Sequence, residues 1–237
     1  MLATAVVAAL PFAAQAQVEY FSLAAYETDT VNRTVVNFDG VATGTLLASN
    51  AFAGVTISAR RVVAVNPQDF APGLTVGGAN VNSQFNGISA SIAYSGTSLV
   101  FDNLDDNFTF TLATPSLAAG LWIGNVGASN NDPVTPTTVT FYAQNGSVIT
   151  SEVFRQGHEG QIGTGANNRF FYGVVSPTPV AWFTVANGSG DFDGLVLDDV
   201  QWAAPVPEPG TALLLALGGL ALAWRRRGSR IASAGHG

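Results

Sequence analysis

Carboxylates form the densest group of side chains that could do chemistry in this chain of 237 residues. Asp191 and Asp193 are followed shortly by Asp198 and Asp199. Carboxylate and carbonyl oxygens are the ligands that Ca²⁺ takes in proteins, and Asp-x-Asp-Gly turns supply them. If Asp39 lies beside Asp198 on neighbouring strands, the sequence predicts a structural Ca²⁺ site. The alternative is that these aspartates make local hydrogen bonds in turns and at strand ends.

Few other residues have side chains that could act as a catalytic nucleophile, acid, base or metal ligand. The chain has no cysteine and only two histidines, which excludes disulfide scaffolds, thiolate zinc sites and cysteine nucleophiles. His158 lies in a glycine-rich stretch far from His236. No pair of carboxylates is marked by a hydrolase motif as the acid and base of glycoside hydrolysis. We therefore expect a protein that is not an enzyme, with no catalytic residue.

Four aromatic residues are candidates for stacking against sugar rings, which need a flat apolar face. Trp122 and Tyr142 are the two that we select, and Trp182 and Trp202 are of the same kind. Each of the four lies in a strand-like run, so its presence is explained equally well by packing in the protein core.

Charge is divided unevenly along the chain. Residues 17–204 contain fifteen acidic side chains and five arginines, whereas residues 205–237 contain one glutamate and four arginines. An acidic body repels phosphate backbones, so no nucleic-acid partner is expected. Basic residues that follow an apolar run are typical of a membrane-spanning segment.

The N-terminal residues have the composition of a secretory signal peptide. An apolar stretch ends in Ala14 and Ala16, which form an A-x-A cleavage site and predict a mature protein that begins at Gln17. No basic residue precedes Arg33, so the positive region that normally opens such a peptide is missing. A start codon placed too far downstream explains this departure.

The C-terminal region has three parts in a fixed order: Pro207-Glu208-Pro209, the apolar run 211–224, and Arg225-Arg226-Arg227. The fourteen apolar residues reach about 21 Å as a helix, which is short of the ~30 Å hydrocarbon core. Such a helix spans the bilayer only where the bilayer thins or the flanking side chains adjust. The arginines should stay in the cytoplasm, with the acidic body on the other side.

This tail, from Val206 to Arg227, resembles the PEP-CTERM sorting signal of Gram-negative bacteria. The resemblance implies that an exosortase in the inner membrane recognises the tail, cuts near Pro207–Pro209 and passes the body to the cell surface or the medium. Such proteins often accompany exopolysaccharide and biofilm systems. The ten residues that follow the arginines depart from the family, whose tails usually end sooner. An ordinary single-pass anchor is the alternative.

The body between the two signals has the pattern of an all-β domain. Short runs rich in β-branched and aromatic residues alternate with Gly, Asn, Asp and Pro, and predict about ten strands. Among them, Asn107–Ala113, Leu117–Gly124, Arg169–Val175 and Val180–Ala186 are predicted as separate strands. Asn145-Gly146 predicts a hairpin with a type I′ turn.

The body also resembles the jelly-roll domains that PEP-CTERM proteins often carry, which are akin to carbohydrate-binding modules. The phrases that carry this resemblance are VNFDG, GVTIS, TVTFYAQNGSVI and FDGLVLDDVQW. In such domains the first and last strands lie side by side, and the resemblance implies a single jelly-roll-type β-sandwich.

The predicted organisation is a signal peptide at 1–16, a β-sandwich at 17–204, a sorting signal with one membrane helix at 205–227 and a cytoplasmic tail at 228–237. We expect a non-enzymatic protein that is held briefly in the inner membrane and then reaches the cell surface or extracellular matrix. There its body would bind exopolysaccharide. The alternatives are a structural module that self-associates and an extracellular enzyme acting on glycans.

Overall fold

The computed structural model describes residues 16–39, 50–58, 62–65, 75–76, 79–80, 98–101, 107–124, 126, 136–163, 168–187, 196–206 and 217–219. The elements in chain order are β1 (Val18–Tyr20), α1 (Leu23–Thr28), β2 (Thr30–Val36), β3 (Asn50–Phe52), β4 (Val55–Ser58), β5 (Val62–Val65), β6 (Thr75–Val76), β7 (Ala79–Asn80), β8 (Ser98–Phe101), β9 (Asn107–Gly124), β10 (Thr137–Ala143), β11 (Val148–Phe154), β12 (Arg169–Asn187) and β13 (Val196–Pro205).

The two long strands β9 and β12 organise the body, which is the unit Gln15–Pro205. They run antiparallel to each other along most of their length, but their register shifts between Val175 and Val180 of β12. Pro115 of β9 and Pro177 of β12 lie in this region. Proline has no N–H to donate, so it interrupts the hydrogen-bond ladder of a sheet. Each long strand is thereby divided into two segments.

The two pairs of segments have different neighbours. Residues 107–116 and 180–187 lie in the first half-sheet, in the order β11, β10, β12, β9, β4, with β3 beside β4. Residues 118–124 and 169–175 lie in the second half-sheet, in the order β1, β12, β9, β13. The far edge of β13 pairs with β8 along its first residues and with β2 along its last. β5 pairs with β8, and β6 and β7 form a separate two-stranded sheet.

Both half-sheets contribute to one hydrophobic core. Phe110 and Phe183 of the first half-sheet are stacked with their ring centroids 4.8 Å apart. Phe141, from the same half-sheet, contacts Tyr172 of the second, and their centroids are 5.4 Å apart. These four rings belong to a single buried cluster that also contains Leu121. Truncation of one such buried phenylalanine typically costs about 3–5 kcal/mol, so this cluster stabilises the contact between the half-sheets.

The predicted β-rich body is confirmed, and two details of the prediction are wrong. The four predicted runs in β9 and β12 are two continuous strands, because both strands bend at the same place instead of ending there. The short helix α1 was also not expected. The jelly-roll-type sandwich and its number of strands stay predictions, because much of 40–106 lies outside the described residues.

The predicted hairpin at Asn145-Gly146 is confirmed, although its turn type differs from the prediction. Gly146 has a φ of 81°, whereas Asn145 is outside the left-handed region that a type I′ turn requires at both central residues. The amide of Gly146 donates to the carbonyl of Ala143, and Ala143 donates to Ser147, each over 2.9 Å. The loop is therefore a three-residue hairpin with glycine at its left-handed position.

The C-terminal segment is described only at residues 217–219, which are helical. Within the described part of the chain, no helix is both long enough and apolar enough to span a membrane. Most of the predicted membrane helix at 211–224 lies outside that part.

Gly54, in the turn between β3 and β4, has a φ of 90°, and a Cβ atom there would lie 2.5 Å from Cζ2 of Trp202. Gly54→Ala should lower the free energy of unfolding by roughly 2–4 kcal/mol, because it combines an unfavourable backbone conformation with a clash. Gly146→Ala is the matched control, since its φ is 81° and no atom lies within 4 Å of its Cβ position. It should cost only roughly 1–2 kcal/mol. Urea denaturation of both variants measures the difference, and equal losses would contradict the close contact with Trp202.

Candidate functional site

The outer face of the second half-sheet is covered by the chain's own N-terminal segment. Tyr26 of α1 is fully buried there, with its ring centroid 5.3 Å from that of Phe171. Its ring also lies over Gly173, where a Cβ atom would come within 2.8 Å of it. Tyr20 meets Tyr26 edge-on and donates a 2.8 Å hydrogen bond to Asp29. The part of this face around Phe171 and Gly173 is thus occupied by the N-terminal segment.

The outer face of the first half-sheet carries a row of hydroxyl groups across five strands. The residues are direct cross-strand neighbours in the order Ser58, Thr109, Thr184, Thr140 and Ser151. Successive side chains of a strand point to opposite faces, and the residues that alternate with this row enter the core. Neighbouring strands are about 4.8 Å apart, which sets the spacing of the hydroxyls. The hydroxyls of Thr140 and Ser151 are 2.8 Å apart and hydrogen-bonded.

A second row runs parallel to the first and contains two aromatic rings. Its members in order are Thr56, Thr111, Trp182, Tyr142 and Val148. The rings of Tyr142 and Trp182 are stacked with centroids 3.7 Å apart and planes 7° apart. Both rings are half-buried, and Val148 is 58% exposed. We call these two rows the hydroxyl face, and none of their side chains carries a charge.

The stacked pair gives the hydroxyl face its apolar element. A stack uses one face of each ring, so each ring retains a second face. Tyr142 is the cross-strand neighbour of Trp182 on β10, and the exposed Thr111 is its neighbour on β9. An apolar ring beside neutral hydroxyl groups matches the two surfaces of a sugar, which has apolar C–H groups and a polar edge.

The two aromatic residues selected from the sequence lie in different environments. Tyr142 is on the hydroxyl face, whereas Trp122 is 5% exposed and lies beneath the covered face. The Trp122 ring is 5.6 Å from the Phe171 ring, and the guanidinium of Arg169 is 6.0 Å from its centroid. Burial leaves no ring face of Trp122 for a ligand, so only Tyr142 is carried into the proposals below.

Neither the stacking partner of Tyr142 nor the hydroxyl rows were predicted from the sequence. Trp182 was one of four equivalent aromatics, because its position opposite Tyr142 depends on the register of β10 and β12. The alternating threonines of β9 and β10 were the available signal. That signal does not show that these strands lie in one sheet with their threonines on the same face.

The aspartates are only partly brought together. β2 pairs with β13 up to Val36 and Val200, so Asp39 and Asp198 lie at the same end of that strand pair. Asp198 is buried and accepts a 2.8 Å hydrogen bond from the backbone amide of Asp199. The exposed Asp39 accepts one from the Asn37 side chain over 2.9 Å.

These contacts are local ones of the kind expected for aspartates at strand ends. Within the described ranges, no group of three or more metal-ligating side chains is placed to hold an ion. Asp191 and Asp193 lie outside these ranges, so the Ca²⁺ site stays a prediction.

His158 has a structural environment. Its ring lies between Phe21 and Phe154, with centroid distances of 5.1 and 4.6 Å. Its Nε2 atom is 3.1 Å from a carboxylate oxygen of Glu152, and Nδ1 is 2.8 Å from the carbonyl of Glu159. These contacts hold the loop after β11 against the core.

Most residues of the predicted targeting signals lie outside the described part of the chain: Ala14, Pro207, Glu208, Pro209, Arg225, Arg226 and Arg227. Ala16 and Gln17 are described, and both are exposed. β1 begins at Val18, directly after Gln17. Cleavage before Gln17 stays a prediction.

Residues 205–227 match the PEP-CTERM protein-sorting motif, which confirms the resemblance seen in the tail. The chain is therefore an exported protein with an exosortase sorting signal at its C-terminal end. No curated protein matches the chain in sequence.

Several solved structures are similar to the body at low identity. A DUF4465 family protein from Bacteroides caccae is 11% identical with a TM-score of 0.44, covering 73% of this chain and 100% of its own. The K1 cleaved adhesin domain of Lys-gingipain from Porphyromonas gingivalis is 11% identical with a TM-score of 0.33, covering 80% and 99%. The C-terminal family 22 carbohydrate binding module of Clostridium thermocellum Xyn10B is 10% identical with a TM-score of 0.27, covering 47% and 76%.

The covered face is sensitive to alkaline pH. Burial, followed by the hydrogen bond to the Asp29 carboxylate and its negative charge, raises the pKa of Tyr20 to about 12. Burial also raises the pKa of Tyr26 and of Tyr172 well above the ordinary value. A raised pKa in the folded state means that the unfolded state loses its protons first. Stability is therefore full below about pH 10 and falls as the pH rises through 12.

Tyr26→Phe should leave the free energy of unfolding unchanged or raise it by about 1 kcal/mol at pH 8, because the buried Tyr26 hydroxyl has no hydrogen-bond partner among the described residues. It should also weaken the loss of stability above pH 10. Tyr20→Phe is the control, and it should cost about 1.5 kcal/mol because its hydroxyl bonds a carboxylate. Urea denaturation at pH 8 and pH 10.5 measures both effects. A large loss in Tyr26→Phe would contradict the unpartnered hydroxyl.

Proposed function

We propose that this chain is a non-enzymatic surface or extracellular-matrix protein whose body binds exopolysaccharide through the hydroxyl face. The observation that carries the proposal is the stacked pair Tyr142–Trp182, which lies on an uncharged sheet face beside exposed hydroxyl residues such as Thr111. The opposite outer face has a helix packed on it, so the two faces are not equivalent. The sorting motif at 205–227 supports a destination outside the cell, where polysaccharides are available as ligands.

The chemistry of the face favours a neutral glycan. A sugar ring can stack its C–H groups on the second face of Trp182, while its hydroxyls exchange hydrogen bonds with Thr111 and Thr109. Hydroxyl groups both donate and accept, so they match the hydroxyls of a sugar in either direction. A phosphate or a carboxylate would find no cation among the residues of this face. An extended chain lying across the strands would meet a new hydroxyl about every 4.8 Å.

The proposed route to the surface uses both ends of the chain. A signal peptide at 1–16 is removed before Gln17, and the tail at 205–227 holds the protein briefly in the inner membrane. Arg225–Arg227 remain in the cytoplasm, and an exosortase cuts near Pro207–Pro209. The body, residues 17–204, is then delivered to the cell surface or the medium.

Self-association is the second candidate function. β11 is the outermost strand of the first half-sheet, and its outer edge pairs with no other described strand. Val148 and Val153 on this strand are 58% and 41% exposed. An open edge strand is a template for pairing with another chain. A second copy paired there would extend the hydroxyl face.

Processing is tested by the intact mass of the protein recovered from membrane, surface and medium fractions of the native host. We expect a surface or medium species that begins at Gln17 and ends near Pro207–Pro209. Glu208→Ala is expected to leave the full tail in the membrane fraction. A wild-type protein that stays in the membrane and retains Arg225–Arg227 would identify the tail as a permanent anchor and exclude sorting.

Glycan binding is tested with Trp182→Ala in the mature protein, using the host's exopolysaccharide in an affinity-electrophoresis assay. Removing the ring should weaken binding at least tenfold, which corresponds to about 1.4 kcal/mol of lost stacking. Thr111→Glu should have a similar effect, because its carboxylate would hold water beside the Trp182 ring.

Thr28→Glu is the matched control for this assay. Thr28 is an exposed threonine on α1, which covers the opposite outer face. This variant should bind as the wild type does. If the wild type binds no glycan but forms oligomers as its concentration rises, self-association replaces glycan binding as the function of the body.

A further inference from the structure

A groove of about 320 Å³ lies at the bend of β9, away from the hydroxyl face. Its walls come from β2, from the bend at Pro115 and from the end of β13. The residues that the argument needs are Asn32, Thr34, Ser116, Leu117 and Trp202. We call it the Trp202 groove, and it shares no residue with the hydroxyl face. Its size is at the lower end of small-molecule sites.

The ring of Trp202 is held in place from one side. Gly54 lies so close to its six-membered ring that a Cβ atom there would clash with Cζ2 and Cη2. Gly54 does not line the groove, so the groove meets another part of the ring. Trp202 is half-buried and packs against the edge of the core. The structure therefore presents a partly exposed aromatic ring that needs no rearrangement before a ligand stacks on it.

A β-bulge directs a polar side chain towards the same groove. Between Thr34 and Val31, β2 advances by three residues while its partner β13 advances by two, from Trp202 to Ala204. Asn32 lies in this extra length with a φ of 54°, a left-handed conformation that is uncommon outside glycine. Bulges of this kind re-aim side chains and are frequent beside binding sites.

The groove is chemically neutral. Asn32 brings an amide that both donates and accepts, and Thr34 brings a hydroxyl. The Ser116 hydroxyl donates to the carbonyl of Ala203 over 2.7 Å and keeps its own lone pairs as acceptors. Leu117, which is 37% exposed, adds an apolar wall. None of the described lining residues carries a charge. An aromatic ring with neutral donors and acceptors around it fits an uncharged sugar unit.

We propose that the Trp202 groove is a second glycan-binding site, which takes one neutral sugar unit or chain end, and that the protein bridges two glycan chains. This inference rests on glycan binding at the hydroxyl face. Both sites use β9, but at different residues: the groove adds residues of β2 and β13, whereas the hydroxyl face adds residues of β4, β10, β11 and β12. A protein with two such sites cross-links a polysaccharide, whereas a protein with one site only coats it.

The test uses the mature protein from the native host and neutral oligosaccharides cut from the host's exopolysaccharide. Titration calorimetry counts the bound oligosaccharides per protein, and low-shear viscosity of the intact polysaccharide reports bridging. Thr34→Glu places a longer, charged side chain in the groove. Val35→Glu is the matched control, since Val35 is the next residue of β2, faces away from the groove and is 46% exposed.

The wild type and Val35→Glu should bind two oligosaccharides and raise the viscosity. Thr34→Glu and Trp182→Ala should each bind one oligosaccharide and lose the increase in viscosity. Asn32→Ala, which leaves the core untouched, should weaken the groove site without changing the other. Two results would exclude the second site. In the first, Thr34→Glu still binds two oligosaccharides. In the second, the wild type binds one oligosaccharide, and only Trp182→Ala abolishes its binding, so that the hydroxyl face is the single glycan-binding site. If the wild type binds none, the proposed function itself fails.

Discussion

The body depends on the pairing of β9 with β12, which continues through a bend that both strands share. Because the prolines of both strands lie at this bend, the ladder is interrupted there without ending either strand. The residues before the bend in β9 pair with β4, and the residues after it pair with β13. The phenylalanines of the first half-sheet then meet the aromatic and aliphatic residues of the second in one core. A single pair of strands thereby determines which residues face inward throughout the body.

The outer faces of the two half-sheets carry different kinds of residue. On the second half-sheet, Gly173 leaves room for the buried ring of Tyr26, so the N-terminal segment packs closely against the strands. On the first half-sheet, the corresponding outward positions carry threonine, serine and one aromatic pair. These side chains suit a pleated surface, because their methyl groups and rings pack together while their hydroxyls bond to water or to each other, as those of Thr140 and Ser151 do. In the described part of the chain, a helix thus covers one face, whereas side chains such as Thr111 and Ser151 remain exposed on the other.

Local features were predictable from the sequence, and features that depend on register were not. The Asn145-Gly146 hairpin and the tail motif each lie within a short window, and both were found. The turn type was missed because the loop has one residue more than a type I′ turn, so that Gly146 is left-handed and Asn145 is not. The separation of Trp182, on the surface, from Trp122, beneath the covered face, depends on which residues oppose each other across β9, β10 and β12. No spacing along the chain contains that information, and the same is true of the alignment of Thr109 with Thr184 and Thr140.

The last strand of the body and the sorting motif share a residue, since β13 ends at Pro205 and the motif begins there. No spacer residues separate the end of β13 from the start of the sorting motif. Prolines at 205, 207 and 209 restrict the backbone of the few residues between the strand and the apolar run. A peptidase acting on this segment must therefore accommodate a folded domain almost at its active site. If the tail is cut near Pro207–Pro209 as proposed, the released domain keeps only about two to four residues after the end of β13 at Pro205 for other proteins to recognise or degrade.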